Sequence, residues 1–326
     1  MKRRQIVKAV GGVMACAWAF GVNAQPAAFP SKPIRIIVGS APGALLDVAS
    51  RLYAERMSVY LKQPVVVENM PGASSTVAAR YVAKAAPDGH TLMAIANTVV
   101  TMPHLVKNAG YVFSKDFVAV GEMCRSAGIL VASGTSPLKS VPDLVAAAKQ
   151  RPGELTFGSG GQGTTSHLPM EMFLKESGLS LSHVPYKGVA QALPDVIAGR
   201  VNVMMGTATS FMGSLNAGTL KALAITSDVR SPKFPNLPTF KELGYPGATY
   251  SIFVGLVAPS GLPDAVRSKL AAAMEVARND KALQARLDNI DQDISDVRTP
   301  EQFQNYLKAE EARSVALIRA ANITAE

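Results

Sequence analysis

The run Leu155-Thr156-Phe157-Gly158-Ser159-Gly160-Gly161-Gln162-Gly163-Thr164-Thr165-Ser166-His167-Leu168 constrains the fold more than any other stretch of the chain. A short apolar segment stops in glycines and hydroxyls, and apolar residues then return at helical spacing (Leu168, Met172). That order is a strand entering a helix through a loop with little side-chain cover. Glycine lets main-chain N–H groups point outward, and a helix N-terminus adds about half a positive charge. Such a loop suits an anion.

The same alternation runs through the rest of the chain. Ile34-Arg35-Ile36-Ile37-Val38 reads as a buried strand, followed by Gly39-Ser40-Ala41-Pro42-Gly43-Ala44 and a helical face of Leu45, Val48, Leu52 and Val59. Val65-Val66-Val67 leads through Met70-Pro71-Gly72-Ala73-Ser74-Ser75-Thr76 into a second helix, and Leu92-Met93-Ala94-Ile95-Ala96 is a third strand. Strands at 128–132, 181–184, 201–205 and 220–225 form a second set, with a capped helix at 144–150 and a helix at 190–198 that Pro194 disturbs. A late strand at 251–258 is followed by one helix at 264–287. A last helix is announced by the box Thr299-Pro300-Glu301-Gln302, with Phe303, Leu307 and Ile318 toward the core. Repeated strand–helix–strand units imply parallel sheets covered by helices. Two such sets, with the chain crossing between them at 123–132 and 249–258, predict two lobes. The ligand should then lie between the lobes, at the C-terminal strand ends.

The first residues belong to export, not to the fold. Lys2, Arg3 and Arg4 precede an apolar stretch at 10–22, and Val22-Asn23-Ala24 is a small-residue cleavage site, the pattern of a signal peptide cut after Ala24. Arg3-Arg4 also fits a twin-arginine signal, so the general and twin-arginine routes both stay open. Cys16 is read as discarded with the leader rather than lipidated. Removing residues 1–24 takes away Lys2, Arg3, Arg4 and Lys8 and no acid, lowering the formal charge from +9 to +5. The remaining basic residues are scattered, which gives nucleic-acid binding no support. Cys124 is left without a partner for an internal disulfide.

Several catalytic readings fail on spacing. Gly158-x-Gly160-x-x-Gly163 matches a dinucleotide fingerprint, but the acid expected about 20 residues on is missing. Phe157 stands where a nucleophile elbow needs glycine. His90, His104, His167 and His183 make no metal-binding spacing. His167 reads as a capping or supporting donor, and His183 as a buried ring with one hydrogen bond.

Three strand-to-helix loops share one chemistry: the opening run, residues 42–47 and residues 70–76. A charge-assisted hydrogen bond to a carboxylate is worth roughly 1.5–3 kcal/mol. Three or four approach the ~8 kcal/mol of a micromolar complex before entropy is charged.

Taken in order, Pro42-Gly43…Asp47-Val48-Ala49-Ser50-Arg51, Val66-Val67-Glu68-Asn69-Met70-Pro71-Gly72-Ala73, Ala86-Pro87-Asp88-Gly89-His90-Thr91-Leu92, Gly158-Ser159-Gly160…Ser166-His167-Leu168 and His183-Val184-Pro185-Tyr186-Lys187-Gly188 make a specific conjunction. The chain resembles the Bug family: TctC-like periplasmic solute-binding proteins of tripartite tricarboxylate transporters. The resemblance spans essentially the whole mature chain. It implies a type II "Venus flytrap", α/β throughout, with residues 25–126 and 254–326 in lobe one and 127–253 in lobe two. It implies a monomer without cofactor or catalysis that closes on a small organic acid anion and delivers it to the permease subunits of a membrane transporter. The site residues carried over or added are Pro42, Gly43, Ala44, Leu45, Leu46, Asp47, Ser74, Asn97, Gly160, Gly161, Gln162, Gly163, Thr164, Thr165, Ser166, His167, Tyr186, Lys187, Gly188 and Thr207. Glycine-loop amides and hydroxyls take the carboxylate, and Tyr186 and Lys187 shape or close the cleft.

The chain departs from the family where Ala44, Leu45 and Leu46 replace a glycine-richer loop, where Ser74 and Ser75 replace glycines, and where Met204-Met205 follows Val203. More apolar surface and fewer hydroxyls point to a carboxylate with an apolar or aromatic body. The alternative is that Leu45 and Leu46 only anchor their helix. Two other functions stay in view: a sensor adaptor presenting the same ligand to a receptor, and a secreted α/β enzyme using His167 or Asp47.

Overall fold

Each half of the molecule is built on parallel strands whose connecting helices cover both faces. In the computed structural model, which describes residues 29–290, 292–297, 299–320 and 323, the first half opens with β1 (Ile34–Val38), α1 (Leu45–Leu61), β2 (Val65–Asn69), α2 (Thr76–Ala83) and β3 (Thr91–Ile95). The leader read at residues 1–24 lies outside the described residues. β1 runs parallel between β2 and β3. Ile34, Ile36 and Val38 pack with Leu52 and Met57 of α1, while Ile37 packs on the other face with Ala78 and Val82 of α2. Burial on both faces explains why the strand is apolar from Ile36 to Val38, while the half-buried Arg35 near its start reaches Glu68 of β2.

After the short α3 (Asn97–Thr101) and α4 (Phe113–Asp116) comes β4 (Phe117–Ser133), a 17-residue strand that joins the two halves. It pairs antiparallel with β9 over residues 117–127 and with β7 and β8 over 128–133. The second half runs α5 (Val141–Gln150), β5 (Thr156–Ser159), α6 (Leu168–Ser177), β6 (Ser182–Pro185), α7 (Val189–Ile197), β7 (Val203–Thr207), α8 (Ala208–Asn216) and β8 (Leu220–Ile225). β5 is parallel to β6 and β7. The chain then returns through β9 (Ser251–Pro259) to α9 (Asp264–Arg278), α10 (Lys281–Asn289), β10 (Asp293–Ile294) and α11 (Pro300–Ala320), which cover the first half. Strand order is β2-β1-β3-β9-β4-β7-β5-β6, with β8 and β10 also on β4.

Three elements differ from the sequence reading. The strand expected at 128–132 is only the far end of β4. Its first part hid because Gly121, Glu122, Arg125 and Ser126 interrupt the apolar pattern, and register shifts fall at Ala119/Gly121 and Glu122/Cys124. Glu122 is fully buried, and the Arg125 guanidinium binds both its carboxylate oxygens, so a polar pair sits where an apolar run was sought. The single helix expected at 264–287 is two, because the Asp280 side chain accepts from Leu283 N at 2.8 Å and caps a new helix. Conversely, Pro194 neither ends nor divides α7. Among the described residues no helix is long and apolar enough to cross a membrane.

Candidate functional site

The C-terminal ends of β1, β2, β3, β5 and β6 converge on a cleft of about 410 Å³ between the two halves. One wall is made by Gly39, Gly72, Ala73, Ser74, Ser75 and Thr98, the other by Gly160, Thr164, Thr165, Ser166, Lys187, Gly188 and Val189. Lys187 is the one charged side chain on this lining, and it makes no ion pair among the described residues. No carboxylate faces it there. The site is therefore polar and net positive, which suits an anion.

The first wall is shaped by close backbone approach. A Cβ on Gly39 would fall 2.4 Å from Ser75 Cβ, so only glycine fits where β1 ends beside the start of α2. Ser75 Oγ donates to Gly39 O at 3.2 Å. Ala73, Ser74 and Ser75 follow with φ of 44°, 51° and 70°. Three successive non-glycine residues in the left-handed region cost of order 1–2 kcal/mol each, and such strain collects where a backbone must present itself to a ligand.

The second wall is held by side chains. Ser166 Oγ accepts from Gly160 N at 2.8 Å, Ser159 Oγ accepts from Gly161 N at 3.1 Å, and His167 Nδ1 accepts from Gly163 N at 3.2 Å. Thr164 Oγ1 donates to Gly161 O at 2.7 Å. This corrects one expectation, because the glycine amides meant to receive a carboxylate already have partners inside their own loop. What the wall offers instead is the Thr165 hydroxyl, the N-terminus of α7 at Gly188 and Val189, and Lys187. Tyr186 stands behind them, its hydroxyl donating to Asp195, a bond that raises the phenol's pKa above its ordinary value.

Of the residues expected at the site, Ser74, Gly160, Thr164, Thr165, Ser166, Lys187 and Gly188 line the cleft. Gly161, Gln162, Gly163 and His167 lie just outside the lining, in or under the same loop. The loop of Pro42, Gly43, Ala44, Leu45, Leu46 and Asp47 does not line it. Pro42 and Gly43 are exposed, whereas Leu46 is buried under α1 with Leu45 packed beside it. Asp47 is 2% exposed and accepts from Gly43 N, Arg51 and Asn69. Burial pushes its carboxyl up, but those bonds outweigh burial and hold it below the usual range. It is a brace for its own loop. Asn97 is fully buried and ties α3 to Ser251 O, Phe253 N and Glu310. Thr207 caps α8. Met204 and Met205 are fully buried in the second half's cores, so neither they nor Leu46 gives a ligand an apolar surface.

The residue list read from the sequence missed Gly39, Gly72, Ala73, Ser75, Thr98 and Val189. The usable signal was position: each lies at a strand end, in the turn that joins a strand to the next helix, or in that helix's first turn. Among the described residues no group of three or more His, Cys, Asp or Glu could hold a metal ion.

Comparison with known proteins shows the chain's family and fold. A profile described as "Tripartite tricarboxylate transporter family receptor" matches residues 49–323. The chain is 36% identical over 282 residues to a Cupriavidus necator protein called "UPF0065 protein in gbd 5'region", covering 85% of each chain. It is 33% identical over 265 residues to protein BugT of Bordetella pertussis, covering 80% of each. Among solved structures, an R. palustris protein with adipate superposes with a TM-score of 0.82 at 31% identity, covering 91% of this chain and 99% of that one. MatC from Rhodopseudomonas palustris, with bound malate, gives 0.79 at 29% identity, covering 89% and 100%.

Proposed function

The chain belongs to the tripartite tricarboxylate transporter receptor family, and on that premise we propose that it captures a small dicarboxylate in the interlobe cleft and passes it to a membrane transporter. It is a two-lobe α/β solute-binding protein of the periplasmic class, and not an enzyme. The observation that carries the ligand class is the lining itself: hydroxyls, helix starts and one unpaired lysine, with no facing carboxylate. Two relatives hold dicarboxylates, malate in one and adipate in the other. The apolar body expected from Leu45, Leu46 and the methionines loses its support, because Leu46, Met204 and Met205 are buried in the cores and Leu45 packs against one. A lining of hydroxyls, glycines and one lysine, with little apolar side chain, suits a diacid better than an aromatic body.

The reading extends to organisation. Residues 25–126 with 254–326 form one lobe, and 127–253 the other. The hinge lies where β4 changes partners, and closure brings the two walls together. Residues 1–24 are a leader removed on export.

Calorimetric titration of the chain lacking residues 1–24 tests the proposal. Malate or adipate should bind at micromolar concentrations, and benzoate or phthalate much more weakly. Lys187→Met should weaken dicarboxylate binding about tenfold, the worth of one charge-assisted bond. Tight aromatic-acid binding, or a Lys187→Met variant equal to wild type, would overturn it.

A further inference from the structure

Behind the second wall two histidines lie nearly face to face. The ring centroids of His167 and His183 are 4.1 Å apart, and Phe157 stacks on His183 at 4.7 Å. His167 is 2% exposed. Its Nδ1 stands 3.2 Å from Gly163 N. A backbone amide can only donate, so this nitrogen carries a lone pair and the ring is neutral, with its proton on Nε2. Nε2 faces Glu171 Oε1 at 3.4 Å.

His183 reaches the same loop at one remove. Its Nε2 is 2.6 Å from Ser159 Oγ, and that hydroxyl accepts from Gly161 N at 3.1 Å. The same hydroxyl donates to Gly161 O at 3.2 Å. The His167 lone pair thus ends one of the bonds that fix the glycine loop, and His183 is joined through Ser159 to a second.

We propose that His167 is a positioning residue for the carboxylate site: neutral, it fixes the Gly163 amide and with it the cleft wall, and protonation of Nδ1 sets two donors against each other, loosens the loop and weakens ligand binding. The dependence of affinity on this ring rests on the carboxylate reading above. The geometry leaves the loop little slack. Gly163 is buried with φ of 68°, and a Cβ there would fall 2.0 Å from Leu105 Cδ1 across the interlobe contact. The titratable groups facing the His167 ring are Glu171 on its own helix and His183 on β6, while the surface opposite Gly163 is apolar, made by Leu105 and Met102. Burial first, and then the neighbouring His167, hold His183 down at about 4.

Two readouts test this between pH 8 and pH 5. In ¹⁵N-labelled, unliganded protein the Gly163 amide resonance should shift in one titration step, and His167→Asn should abolish the shift. Asparagine sets an acceptor oxygen close to the place of Nδ1 and cannot be protonated there. Titration with malate and with adipate should then show wild type losing about tenfold more affinity than His167→Asn on acidification. At pH 8 His167→Ala should bind about tenfold more weakly than wild type, and His167→Asn should recover most of that loss. A Gly163 resonance that ignores pH in wild type would overturn the proposal. So would a His167→Asn variant keeping the full wild-type pH slope, or a His167→Ala variant that binds normally. If neither diacid binds at any pH while the Gly163 titration behaves as stated, the ligand reading fails and the positioning of the loop by His167 stands.

Discussion

The two walls of the cleft repeat one plan with different supports. In each half a strand ends in a glycine pressed against the helix start that follows the neighbouring parallel strand: Gly39 against Ser75, and Gly160 against Val189. The first wall keeps its shape through backbone conformation, with three left-handed residues in a row at Ala73–Ser75. The second keeps its shape through side-chain acceptors, Ser159, Ser166 and His167. The same cleft is thus preorganised once by strain and once by hydrogen bonds. The second solution brings a dependence on pH that the first lacks.

The sharpest way to break this comparison is to add one methyl to each wall. In Gly39→Ala the new Cβ meets Ser75 Cβ at 2.4 Å and its Cα at 2.8 Å, and backbone cannot step aside. A stability loss of about 3 kcal/mol or more is expected in urea unfolding, with loss of ligand binding. In Gly160→Ala the nearest atom is Val189 N at 3.1 Å, and the loss should be about 1 kcal/mol. Equal losses would mean that the walls are not built as described.

Acidification should act on the second wall next. His183 sits at about 4 in the folded protein against an ordinary 6.5, because burial disfavours its charged form. The unfolded chain therefore binds the proton first. The ring's contribution is complete above 6.5 and is lost as pH falls toward 4. It amounts to about 2 kcal/mol once partial exposure is allowed for. Thermal unfolding of wild type against His183→Gln should show a steeper fall in wild type across that window. Parallel curves would remove His183 from the account.

The smallest expected effect belongs to the first wall. Ser74 has φ of 51°, and Ser74→Gly should relieve strain while adding unfolded-state entropy. A net change within about 1 kcal/mol, most of it toward stability, is expected in the same unfolding assay. A loss above 2 kcal/mol would show that the serine side chain, not the backbone, shapes this wall.

Much of this fold was legible because strands buried on both faces leave apolar runs, as in Ile36–Val38 and Ala222–Ile225, each preceded by a single half-buried basic residue, Arg35 and Lys221. The first half of β4 was not, because a buried Glu122–Arg125 pair and two register shifts break the pattern. At the site, the hydroxyl-bearing segment from Thr164 to Ser166 announced itself by composition. The loop at 42–47 looked equivalent, yet an aspartate that holds a ligand and one that holds its own loop read alike in sequence. Only the bonds from Gly43, Arg51 and Asn69 distinguish them. Histidine support was legible only in outline: a supporting role for His167 and one hydrogen bond for His183 were expected, but the partners were hidden and His167 accepts rather than donates. The partner of His167 lies four residues away, and that of His183 lies 24 away across a parallel strand pair.

The most direct test is a crystal structure of the chain with malate or adipate bound. The account predicts one carboxylate against the Gly72–Ser75 turn and Thr98, and the other against Thr165, the start of α7 and Lys187. A diacid seated instead beside Leu45 and Asp47, or in the groove between α6 and α11 that Met172, Arg313 and Leu317 line, would contradict it.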